Sequence, residues 1–262
     1  MSWLGKVVGG AFGFLMGGPL GAILGASMGH QFDAGLDGLE GNDQLNPGDQ
    51  HRVQMAFFTA TFSVMGHIAK ADGKVTAAEI NLANRVMDEL ALSEELRKTA
   101  INLFNQGKEA DFPLYGVLDQ FRRECHRRTH LIRMFLEIQI QAAFADGVLD
   151  QSEEKVLHKI CTHLGISNFE YESIKRQFQA QQRFYGQNQQ PNANMLEDAY
   201  AALGVTSSAT DVDVKKAYRR LMSQHHPDKL VAKGLPEEMM VIAKEKTQKI
   251  RKAYETIKDH RK

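Results

Sequence analysis

Toward the end of the chain, His225-His226-Pro227-Asp228-Lys229 sets an imidazole, a conformationally fixed ring and a carboxylate side by side. Pro227 cannot continue a preceding helix and biases His226 to an extended backbone, so the tripeptide reads as a displayed loop. Just upstream, Lys215, Lys216, Arg219 and Arg220 form two i,i+4 pairs, a cationic face suited to docking on an acidic surface. A second candidate is Ala71-Asp72-Gly73-Lys74-Val75 with Glu79, repeated 74 residues later as Ala145-Asp146-Gly147-Val148-Leu149 with Glu153. This is the second half of a calcium loop without the first, because Ile68, Lys70, Ala142 and Phe144 stand where side-chain oxygens are needed. No metal is expected there. No Ser/His/Asp set, phosphate loop or His-Glu-x-x-His run is present, so the chain is not read as an enzyme and no cofactor is implied.

The third candidate site is made of glycine. Gly5, Gly9, Gly13, Gly17, Gly21, Gly25 and Gly29 recur every four residues, inside and just before the uncharged stretch Val7 to Gly29. As a helix that stretch is about 35 Å long, enough to cross a hydrocarbon core of about 30 Å. Small residues at this spacing let two helices approach backbone to backbone in lipid, so residues 7–29 are read as a dimerising transmembrane helix after a short tail at 1–6. A cleaved signal peptide fits less well, since the apolar run continues too far and no Ala-x-Ala site follows. A soluble glycine-rich tail is the other alternative.

The elements that must carry these groups are helical. Apolar residues at helical spacing resume with Val53, Phe57, Ala60, Val64 and Ile68. The two Asp-Gly motifs each close one helix and open the next, with Thr76…Glu79 and Asp150…Glu153 at capping-box spacing. The second copy is announced by the apolar run Leu131 to Ile138. Arg122, Arg123, Arg127, Arg128 and Arg133, with His126 and His130, read as a solvated basic face or a site for acidic groups. Residues 179–194 hold nine Gln or Asn, with Gly186 and Pro191, and read as a flexible tether. Beyond it, Leu196, Tyr200 and Leu203 trace a short helix ended by Gly204. Thr210 caps the next, whose apolar face is Val214, Ala217, Tyr218 and Leu221. Pro236 precedes a last helix with inner positions Ile242, Lys246, Ile250, Ala253, Tyr254 and Ile257.

Composition sets the limits. The chain of 262 residues has 32 basic and 32 acidic side chains and 43% hydrophobic residues, which excludes a disordered chain and suggests two folded units. Residues 195–262 alone are cationic, 14 against 10, too sparse for a nucleic-acid footprint. Cys125 and Cys161, without a CxxC pair, read as buried thiols.

Leu203-Gly204-Val205, Lys216-Ala217-Tyr218-Arg219-Arg220-Leu221, His225-His226-Pro227-Asp228-Lys229 and Ala253-Tyr254 together closely resemble a J-domain of the DnaJ co-chaperones. The order of glycine-rich span, duplicated helical region carrying Ile138 to Gly147, and C-terminal J-domain resembles the DjlA family of membrane-anchored bacterial co-chaperones, whose middle region is similar to the TerB-like fold. The resemblance implies an all-α chain with a TerB-like bundle at 50–178 and a J-domain helical hairpin at 195–262. It implies anchoring in the bacterial inner membrane, with a short periplasmic N-terminus and the bulk of the chain in the cytoplasm. It implies recruitment of DnaK, stimulation of its ATP hydrolysis through His226, Pro227 and Asp228, docking through Lys215, Lys216, Arg219 and Arg220, and a link to envelope signalling. Residues after the span depart from the family pattern, with Asp33, Asp37 and Glu40 in place of a basic cluster. The other reading is a membrane sensor or scaffold whose TerB-like region binds a ligand or metal. The client or signalling partner stays unnamed by the sequence.

Overall fold

A computed structural model describes residues 18–23, 47–71, 73, 77–89, 92–126, 128–144, 147–186, 194–236 and 239–261. Among these residues the structure is all helical. The helices are α1 Pro47–Ala69, α2 Ala77–Glu89, α3 Glu94–Gly107, α4 Leu114–Glu124, α5 Thr129–Ala143, α6 Gln151–Leu164 and α7 Asn168–Gly186, followed by α8 Asn194–Leu203, α9 Asp211–Gln224, α10 Pro227–Val231 and α11 Met240–His260.

Local chemistry fixes where these helices start and stop. The Ser93 hydroxyl accepts from the Leu96 amide at 3.3 Å to open α3, with Glu94 and Glu95 in the favourable first turn. Asp150 and Glu153 form the expected capping box of α6, Asp150 accepting from the Ser152 amide at 2.6 Å and Glu153 from the Asp150 amide at 3.2 Å. The glycines of the two Asp-Gly motifs match in backbone conformation as well as in sequence. Gly73 (φ +88°) and Gly147 (φ +92°) both adopt the left-handed region, and each donates its amide three residues back, to Lys70 at 2.9 Å and Phe144 at 3.0 Å. The capping pair expected at Thr76…Glu79 lies outside the described residues.

α1 is the central element of the bundle and packs on α3, α4 and α5. Phe57, Phe62, Leu103, Leu118, Phe121, Leu131, Phe135 and Tyr171 are fully buried there. Contact between α1 and α3 is backbone to backbone. A Cβ on Gly66 would fall 2.0 Å from the Phe104 carbonyl oxygen, and one on Gly107 would fall 1.8 Å from that of Ser63. Both cysteines are buried and unbridged, and burial pushes each thiol up to about 12, so they are inert core groups.

A second, smaller core joins α8, α9 and α11 through Tyr200, Leu203, Val214, Leu221, Ile250, Ala253 and Ile257. The two cores interlock. Ala180 and Phe184 of α7 belong to the small core, while Leu230, Leu235, Met239 and Ala243 from beyond the His-Pro-Asp loop belong to the large one. The tether expected over 179–194 is therefore shorter, because residues 179–186 continue α7. Gln is a good helix former, and Ala180 and Phe184, four residues apart, form a stripe that the small core covers.

Only 18–23 of the expected span 7–29 is described, and Gly21 alone of the seven-glycine stripe falls within it. These six residues are helical, with Leu20 and Ile23 buried, and the Leu20 amide donates to the Gln120 side-chain oxygen at 2.7 Å. Among the described residues no helix is long and apolar enough to cross a membrane.

Candidate functional site

The loop between α9 and α11 is built outward from helix ends. Thr210 and Asp213 close a capping box at the start of α9, the Asp213 amide donating to the Thr210 hydroxyl and the Thr210 amide to Asp213, each at 3.2 Å. Val214, Ala217 and Leu221 point inward and Tyr218 stacks on Tyr254 of α11 at 4.2 Å between centroids. That fixes the rotation of α9, and Lys215, Lys216, Arg219 and Arg220 consequently lie exposed on its outer face.

At the other end of α9, His226 is extended (φ −63°, ψ 122°) and stands at the N-cap position of α10, with Pro227 at its first turn. The fixed φ of proline suits that position, and Asp228 beside it sits where the helix dipole favours an anion. The turn is closed by the Leu230 amide donating to the His226 carbonyl and the Ala232 amide to that of Asp228, both at 3.0 Å. Lys229 reaches back to the Ser223 hydroxyl at 2.8 Å, bracing the loop against α9.

The His226 side chain makes no capping hydrogen bond, and its Nδ1 is buried without a partner. A capping residue would use its side chain on the free amides of the helix. His226 is half-buried, while Asp228 is exposed. The loop therefore offers a fixed backbone, an imidazole whose hydrogen-bonding capacity is uncommitted at one nitrogen, and an open carboxylate.

Comparison with known proteins accounts for the whole chain. Residues 1–39 match the family model for the co-chaperone DjlA transmembrane domain, 58–176 that for the tellurite resistance protein TerB, and 198–262 that for the DnaJ domain. The co-chaperone protein DjlA of Photobacterium profundum is 46% identical, with 97% of each chain covered. That of Coxiella burnetii is 46% identical over 98% of each, and that of Shewanella oneidensis 45% identical over 100% of this chain and 99% of its own. The chain belongs to the DjlA co-chaperone family. No solved structure is a significant match.

With the DjlA family established, the three candidate groups can be placed. The four cations of α9 and the His-Pro-Asp tripeptide lie along one helix and the loop that leaves its end. Of the two calcium half-loops, Ala142 and Phe144, at positions that would need oxygens, are buried apolar groups, and Asp72 and Asp146 lie outside the described residues. Three of the described arginines of the basic run are committed locally, while Arg123 is exposed and shares a shallow surface hollow with Arg122, His126 and Asp119. Arg122 donates to the His163 carbonyl at 3.1 Å, Arg128 to that of Glu124 at 2.9 Å and Arg133 to Glu137 at 3.0 Å. Glu154, His158 and Glu172 cluster closely enough to hold a metal, but Lys175 lies between the two carboxylates, 2.6 Å from Glu154 and 3.1 Å from Glu172, and supplies the positive charge itself.

Two features of the site lie beyond the sequence-based expectation. The first is the helix α10, which stands where an open loop is expected, although Pro227 followed by an acid in the first turn is a helix-start signal. The second is Glu137, fully buried in α5. Its Oε1 accepts from Arg133 at 3.0 Å and lies 3.7 Å from His225 Nε2. Its Oε2 is 2.6 Å from Lys246 of α11, a close ion pair and not a well-directed hydrogen bond. Burial by itself would raise the Glu137 carboxyl, but Lys246, His225 and Arg133 outweigh it and hold the group well below the usual range. The His225 imidazole is pushed down by its own burial, with Glu137 opposing, so it is neutral around pH 7.

Proposed function

We propose that this protein is a membrane-tethered co-chaperone that recruits the Hsp70 chaperone DnaK and stimulates its ATP hydrolysis through His226, Pro227 and Asp228. The observation that carries the reading is the half-buried, uncapping His226 held by Pro227 at the end of an exposed cationic helix. Lys215, Lys216, Arg219 and Arg220 steer docking onto an acidic surface, and the loop couples the docked state to hydrolysis. Such stimulation requires that the loop favour the hydrolysis-competent form of the chaperone, since equal affinity for both forms would shift nothing. In His226→Gln the domain should keep its circular dichroism spectrum, while stimulation in single-turnover ATP hydrolysis falls to background. Stimulation equal to wild type would show the mechanism to be wrong.

The match of residues 1–39 to the family's transmembrane domain supports anchoring through residues 7–29. On this reading the chain sits in the bacterial inner membrane with its N-terminus periplasmic and its bulk in the cytoplasm, where ATP and DnaK are, and it acts locally in envelope signalling on a client that its TerB-like bundle selects. The glycine stripe from Gly5 to Gly29 makes it a homodimer. A reporter fused after Lys262 should be active only in the cytoplasm, and Gly17→Leu with Gly21→Leu should weaken self-association in a membrane two-hybrid assay. Periplasmic activity, or an unchanged dimer signal, would count against the corresponding claim.

A further inference from the structure

We propose that Glu137, in the TerB-like bundle, is a positioning residue for the His-Pro-Asp loop, acting through His225 and Lys246. This rests on the co-chaperone reading above. The argument starts from what the fold does not need. A buried ion network is often matched or exceeded in stability by apolar side chains of similar volume, so stability alone does not call for Glu137. What such a network does supply is direction. The apolar contacts of Leu230, Leu235, Met239 and Ala243 with the bundle core would hold the loop region in several registers. One carboxylate shared by groups from three helices allows far fewer.

Those groups surround the loop. Lys246 comes from α11, which follows it, His225 from the C-cap of α9, which precedes it, and Arg133 from α5 one turn before Glu137. Arg133 is in turn fixed by the Gln177 side-chain oxygen of α7 at 3.2 Å, so all four come from separate packed elements. His225 is peptide-bonded to His226. Its Nδ1 has no partner, as the Nδ1 of His226 has none, so neither ring is oriented at that nitrogen by a hydrogen bond. The contact with Glu137 and the surrounding packing orient His225, and the backbone carries that orientation one residue further. The TerB-like bundle and the chaperone-stimulating loop are thereby joined at one atom group, and a shift of α5 would reach the loop directly.

The test uses the full chain and the concentration dependence of single-turnover ATP hydrolysis by DnaK, which separates maximal stimulation from the half-saturating concentration. In Glu137→Gln, which keeps size and polarity, maximal stimulation should fall about fivefold or more, with half-saturation changed by less than about twofold because the α9 cations are untouched. Hydrogen exchange at the Leu230 and Ala232 amides should accelerate, while that at Val214 should not. Lys246→Met should act in the same direction, and the double variant should be no worse than the worse single one, as expected of groups acting as a unit. Lys246→Met decides the matter if Glu137→Gln does not fold, since Glu137 then retains Arg133. Folded variants with wild-type maximal stimulation and unchanged exchange at Leu230 would overturn the proposal, as would a loss seen in half-saturation alone. A wild-type chain that fails to stimulate sinks the co-chaperone reading instead, and exchange at Leu230 and Ala232, which needs no DnaK, still decides the positioning role.

Discussion

The hairpin formed by α9 and α11 carries charge on two sides that are treated in opposite ways. On the outer side Lys215, Lys216, Arg219 and Arg220 stand in solvent, where water and salt screen them and each contributes little to folding. On the inner side Lys246, with the neutral His225 beside it, meets Glu137 and Arg133 in a place almost closed to water. Charges there are screened much less, and removing one member leaves another uncompensated. The difference separates two tasks. The outer face can change its binding strength without disturbing the fold, whereas the inner cluster ties the loop's geometry to the state of the bundle.

The largest effect expected from this contrast is on stability. Arg133→Met removes the guanidinium that satisfies Glu137 Oε1 and Gln177, leaving Lys246 as the remaining close cation. A loss of about 2–4 kcal/mol is expected, somewhat below the cost of stripping a buried ion of all its partners. Lys216→Met, on the exposed face, should change stability by no more than about 0.5 kcal/mol. Chemical unfolding of both variants against wild type measures the ratio, and equal losses would remove the distinction between the two sides.

Acid should act on the inner side next. Burial lowers the His225 imidazole to about 4, with Lys246, Arg133 and His130 pushing the same way and Glu137 opposing. The unfolded chain therefore takes up a proton on this residue at a higher pH than the folded one does. Its neutral burial contributes full stability above about pH 6.5, and that contribution declines as pH falls toward 4, by on the order of 3 kcal/mol at most. Glu137, held below its unfolded value, loses its own contribution only at lower pH, below about 4.5. His67 and His130, both lowered chiefly by burial, have the same sign as His225. His225→Phe should flatten the unfolding free energy between pH 6.5 and 4 relative to wild type. An unchanged pH profile would mean that His225 is not held neutral by the fold.

How much of this could be read from the sequence differs between the two sides for a physical reason. The outer face follows from helical periodicity alone, since Val214, Ala217 and Leu221 fix which side of α9 is buried, and the cations four apart must then face outward. Gly204 and the Thr210–Asp213 cap were legible because their causes are local. Glu137 and Lys246 were not, although each left a mark: an acid inside the apolar run Leu131 to Ile138, and a lysine among the inner positions of α11. Arg133, four residues before Glu137 in the same run, is a partner that helical spacing offers, but nothing local says that Lys246, more than a hundred residues away, supplies the other. The same limit applies to Gly66 and Gly107, whose role depends on one helix crossing another. Residues 179–186 differ from expectation for the opposite reason, because their composition favours a tether while burial of Ala180 and Phe184 decides for helix.

The smallest effect expected belongs to a single charge on the outer face, and it sharpens the comparison because it should appear in binding and not in folding. Lys216 is exposed near the first turn of α9, and the nearby Asp213 carboxylate is held low first by Thr210 and to a lesser degree by Lys216 itself. Lys216→Glu reverses one of four cations without touching the loop or the inner cluster. On the proposed role its contribution to docking is long-range steering toward an acidic surface, so the loss should be about two- to fivefold in association rate at low ionic strength and should largely vanish near 0.5 M salt, where the Debye length is about 4 Å. Dissociation and maximal stimulation should hardly move, since the contacts that persist in the complex and the geometry of His226 are unchanged. Stopped-flow association of the full chain with DnaK at two salt concentrations resolves this. If the variant instead lowers maximal stimulation at both, the outer face is part of the coupling machinery, and the two sides of the hairpin do not divide the work as their burial suggests.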